Sequence, residues 1–102
     1  MNSFTRDWIG TFDQPNFGEY PVRLTIDDDQ IEVRYPTLGC GGFLRLEKIE
    51  DGVAYLRENI IYGTSNCLNG VQVQLSKRGG HLRFVVLLPD GTPGGEGSLS
   101  PV

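Results

Sequence analysis

Apolar and polar residues alternate along most of this chain with a period of two, the pattern of strands with one buried face. Trp8, Gly10 and Phe12 share one face of a first strand, Trp8–Phe12. Tyr20, Val22, Leu24 and Ile26 share one face of a second, and Ile31, Val33 and Tyr35 continue that face after a reversal at Asp27–Gln30. A fourth strand is predicted over Phe43–Ile49, with Leu44 and Leu46 inward, and a fifth over Val53–Ile61, with Ala54, Leu56, Glu58 and Ile60 on its more apolar side. Val71, Val73 and Leu75 mark a sixth, Leu82, Phe84, Val86 and Leu88 a seventh, and Gly95–Val102 supplies a short closing strand. No stretch of useful length shows a helical period. The pattern predicts one all-β domain over residues 1–102, an antiparallel up-and-down meander of seven or eight strands closing into a small barrel. A β-sandwich is the alternative.

Loop length divides such a meander into two ends, because successive connections fall at alternate ends. Asp13–Glu19, Pro36–Gly42, Tyr62–Gly70 and Pro89–Pro93 share one end and read as the longer loops. Asp28-Asp29, Asp51-Gly52 and Gly79-Gly80 share the other and read as tight turns; Asp-Gly in particular supplies positive φ at little cost. The expected object is a barrel with a mouth and a closed base, and binding residues gather on loops at such a mouth. Phe17, Tyr35, Glu58, Tyr62, Asn66 and Asn69 are the candidate ligand contacts, with Asn16 beside them. Val85 and Leu87, apolar on the outer face of the seventh strand, are a candidate partner surface.

Composition narrows the function more than it names one. The chain has 102 residues, a net charge of −4 and basic residues dispersed singly, so an electrostatic footprint for nucleic acid is missing. Its longest apolar run, Phe84–Leu88, is far short of a membrane span. The opening residues lack the apolar core of a signal peptide, so the chain as written is expected in the cytoplasm, or outside it if a signal was removed.

Catalytic and metal chemistry find little support. The one histidine, His81, is placed at the tight-turn end, opposite Cys40 and Cys67, where it cannot activate a thiol. Two cysteines and one distant histidine do not make a zinc site, and the acidic run at Asp27–Asp29 reads as a solvated turn. Gly39-Cys40-Gly41-Gly42 lacks the lysine and helix of a phosphate loop. No cofactor and no catalytic residue are expected.

Glu58 stands out. A carboxylate between Leu56 and Ile60 on an apolar face needs a partner (Trp8, a tyrosine or backbone amides), a raised pKa or a wet cavity, unless the facing is reversed and Arg57 points inward. Cys40 and Cys67 fall in two mouth loops, which permits a disulfide in an oxidising setting and two reduced thiols in a reducing one.

The run Tyr35-Pro-Thr-Leu-Gly-Cys-Gly-Gly42, with Trp8-x-Gly10 before it and Leu56–Ile60 and Asn66-Cys67-x-Asn69-Gly70 after it, resembles a small bacterial β-barrel domain. That domain occurs alone or at the C-terminus of bacterial serine/threonine kinases, and it is distantly similar to lipocalin- and avidin-type barrels. The resemblance runs from Trp8 to about Val86 and implies a non-catalytic domain in which Cys40 and Cys67 pair. The leading expectation is a binding module for an unidentified small molecule or protein. The alternative is a small acidic inhibitor or immunity-type protein acting by protein–protein contact.

Overall fold

A computed structural model describes residues 4–102. It contains eight strands: β1 (Arg6–Gln14), β2 (Gly18–Ile26), β3 (Ile31–Tyr35), β4 (Cys40–Glu50), β5 (Val53–Tyr62), β6 (Gln72–Arg78), β7 (His81–Leu87) and β8 (Pro93–Pro101). Each pairs antiparallel with the next, and β8 returns to β1 with Trp8 opposite Pro101, so the sheet closes into an up-and-down barrel. The sandwich alternative falls away. Closure gives every strand a partner on each side over at least part of its length, which leaves little of the edge that would otherwise expose unpaired backbone donors and acceptors.

The alternation in sequence is the alternation in space. Val22, Leu24, Val33, Leu56, Val73, Leu75, Leu82, Phe84 and Leu99 are fully buried and fill the interior. An eight-stranded barrel has room for such side chains or for one small ligand, and here most of the lumen is packed. The base is closed by Phe4 and Trp8, both buried, with the Trp8 indole donating a 3.0 Å hydrogen bond to the Phe4 carbonyl. Its turns are tight: Asp51 and Gly52 both take positive φ, and the Asp27 carboxylate accepts bonds from the Asp29 and Gln30 amides. Wall contact also depends on missing side chains. A Cβ on Gly42 would run into the Asn59 carbonyl, so β4 and β5 approach as they do only with glycine there.

Four details differ from the sequence expectation. The first connection is a turn at residues 15–17, not a loop from Asp13 to Glu19, because Asp13 pairs with Glu19 and Gln14 with Gly18. The glycine-rich corner likewise shrinks to residues 36–39, and Cys40 is already paired with Tyr35 in the sheet. β8 starts at Pro93, which stands opposite Leu87, rather than at Gly95.

Leu46 is the fourth. It lies opposite Leu56, on the inward face as expected, yet is 40% exposed. The cause is the shortness of β3, which pairs with β4 only over Cys40–Phe43, so the far half of β4 overhangs the barrel with β5 as its one partner. A register shift between Leu46 and Lys48 bends this overhang further.

A carboxylate-floored cleft at the mouth

The mouth is held by two connections strapped together. The first residue of β4, directly after the turn at residues 36–39, is joined to the loop at residues 63–71 by a Cys40–Cys67 disulfide, Cα atoms 6.4 Å apart. Asn66 adds a second tie, its Nδ2 donating to the Leu38 carbonyl at 2.8 Å. Backbone bonds between Glu58 and both Gly70 and Val71 carry the β5–β6 ladder on into the loop's end. Both cysteines are therefore structural. The chemistry of this end lies beside them.

Between these connections lies an open cleft of about 140 Å³. Phe12, Phe17, Tyr20, Tyr35 and Val71 form much of its wall, with Glu58 as its one charged side chain. The period-two pattern places Glu58 on the inner face, and it is only 4% exposed. Arg57 points outward instead, donating to the Gly70 carbonyl at 3.1 Å and pairing with Glu47 at 3.3 Å. The facing is settled in favour of Glu58.

Its partner is Tyr35. The phenol donates to Glu58 Oε2 at 2.5 Å, and no hydrogen bond from the described residues reaches the other oxygen. Trp8, at the closed base, is not involved. Removal from water pushes the Glu58 carboxyl up to about 7 against the lowering effect of the Tyr35 bond. Burial, and then the nearby Glu58 charge, push Tyr20 up to about 12 and Tyr35 well above the ordinary tyrosine value. Both phenols stay protonated at neutral pH, while Glu58 is divided between its two forms.

Three of the aromatic rings, Phe17, Tyr20 and Tyr35, meet close to right angles. Tyr20 and Tyr35 have centroids 5.9 Å apart at 75°, and Phe17 stands at 85° to Tyr20 across 5.7 Å. Tyr20 also donates to Gln14 Oε1 at 2.9 Å, which fixes its hydroxyl at the rim. Phe17 and Leu68, 62% and 58% exposed, flank the opening as large apolar side chains left in solvent.

Of the six candidate contacts, Phe17, Tyr35, Glu58 and Asn66 line this cleft. Tyr62 does not: it lies on the outside of the barrel, its hydroxyl occupying the space a Cβ on Gly41 would take. Asn69 is used within the fold, its Oδ1 accepting a 2.8 Å bond from the Ile60 amide. Tyr20, Phe12 and Gln14 were missed because they read as ordinary core and turn positions. The usable signal was that Tyr20 and Tyr35 are inward phenols at the mouth ends of their strands. His81 bonds Ser100 at the base, as far from the cysteines as the loop counting requires. Val85 and Leu87 are half-buried on the outer wall of β7, and β8 lies beside them in the sheet rather than over them.

Comparison of the chain with protein-family models, curated proteins and solved structures gave no match in any of the three.

Proposed function

We propose that this protein is a non-catalytic binding module that takes a small ligand, or the tip of a partner's side chain, into the mouth cleft. One observation carries the reading: the buried carboxylate of Glu58 forms the floor of an open, aromatic-walled cleft. A buried charge without a countercharge is expensive, and folds keep one where a ligand or a proton relieves it. The strapped loops support the same reading, because a pre-shaped rim lowers the ordering cost of binding. The disulfide favours an oxidising compartment as the place of work, against the cytoplasmic expectation.

The test is amide chemical-shift mapping on the oxidised protein with a panel of small amines, sugars, nucleotides and short peptides. Shifts centred on Tyr20, Tyr35, Glu58 and Val71 are expected for at least one class. Shifts confined to the tight-turn end, or none, overturn the assignment.

A further inference from the structure

We infer that the mouth cleft takes an organic ammonium group, with its charge set against Glu58 and its apolar stem against Phe17, Tyr20 and Tyr35. This rests on the mouth-binding reading and narrows it to one ligand chemistry.

Four observations converge. First, Glu58 has no cation of its own among the described residues. The ion pairs among the described residues join Arg45 and Arg57 to Glu47, Lys48 to Glu50, and Arg83 to Glu96. No lysine, arginine or histidine among the described residues lines the cleft. Anionic ligands such as phosphates and carboxylates would meet Glu58 with like charge.

Second, the carboxylate is half-used. Oε2 accepts from Tyr35, leaving the other oxygen for a donor from outside. One free oxygen suits the point-like donors of an ammonium better than a guanidinium, whose planar fork prefers both oxygens.

Third, three rings set near right angles give a cation adjoining aromatic walls. Fourth, the size suits such a guest: a volume of about 140 Å³ matches a group the size of a butylammonium, as an apolar cavity of about 150 Å³ binds one benzene.

Proton linkage follows from the same geometry. The ammonium binds the ionised carboxylate, so binding competes with a proton on Glu58, whose carboxyl is pushed up to about 7. The other titratable groups facing it, Tyr20 and Tyr35, stay neutral through this range. The ionised fraction rises about tenfold between pH 6 and pH 8, and affinity rises with it.

The experiment is an amide NMR titration of the oxidised full chain with butylammonium, and with Nα-acetyl-lysine methylamide as the second arm. The controls are 1-butanol and butyrate. Expected results are saturable shifts at Tyr35, Glu58 and Val71 with the ammonium probes, about tenfold tighter binding at pH 8 than at pH 6, and at least tenfold loss in Glu58→Gln. Tighter binding of the free amine points to a small-molecule source, and tighter binding of the lysine derivative to a lysine borne on a protein. Equal binding of 1-butanol, or an unchanged affinity in Glu58→Gln, overturns the ammonium inference. Cleft shifts with the neutral probe alone overturn it too, yet leave the mouth-binding reading standing. If neither these probes nor the wider panel moves the cleft amides, both fall. The pH series on the unaltered chain decides the matter even if the variant folds poorly.

Discussion

Glu58 should make this barrel less stable as pH rises, and replacing it should abolish that loss. The carboxyl is held at about 7 in the folded chain against 4.5 when exposed, so the folded state binds the proton more tightly. A group shifted in this direction contributes its full stabilisation below about pH 4.5 and loses it as pH rises through 7. At about 1.4 kcal/mol per pH unit, the gap amounts to roughly 3 kcal/mol, of which most is lost between pH 5 and pH 8. Glu58→Gln keeps the shape and an acceptor for the Tyr35 hydroxyl but cannot ionise. Urea unfolding of both proteins at intervals from pH 5 to pH 8 isolates the effect, since the other titrating groups are common to both. The difference in unfolding free energy should change by about 2–3 kcal/mol across that range, the variant gaining ground at high pH. Parallel profiles would refute the reasoning, because they would mean that Glu58 is as well solvated when folded as when unfolded.

Three further outcomes follow from the same geometry. Cys40→Ala/Cys67→Ala opens a loop spanning 27 residues and should cost about 3–4 kcal/mol, read from urea midpoints against the oxidised parent; alkylation and mass spectrometry of freshly purified, unreduced protein should find no free thiol. Gly42→Ala drives a methyl into the Asn59 carbonyl and should cost about 2–4 kcal/mol, whereas Gly80→Ala, which meets nothing within 4 Å, should stay within about 0.5 kcal/mol of the parent by thermal unfolding. Asn69→Ala removes the acceptor for the Ile60 amide and should cost about 1 kcal/mol, with that amide losing hydrogen-exchange protection.

Strand facing was legible because inward and outward residues differ in polarity along nearly every strand, and that alone carried Glu58 to the interior. Strand ends were not. Asp13, Gln14, Gly18 and Glu19 carry no apolar alternation, so nothing in their chemistry says that they continue the pairing. The exposure of Leu46 depends on where β3 stops, which is a property of its neighbour and not of Leu46 or the residues beside it. The cleft was half-legible for a related reason. Turn residues such as Phe17 and Asn66 announced the mouth, while Tyr20 and Phe12 became its wall only once the loops above them left the barrel end open.

Closure of β8 on β1 brings the two ends of the described chain together. Val102 donates its amide to the Asp7 carbonyl, and this junction lies at the base, opposite the cleft. A linker, tag or solid support attached at either end would therefore hold the barrel by its foot and present the opening to solution. The same proximity makes the chain a good subject for circular permutation: a short bridge across the base, with new ends cut at Gly79-Gly80, would change the order of the strands in sequence while leaving every wall of the cleft in place.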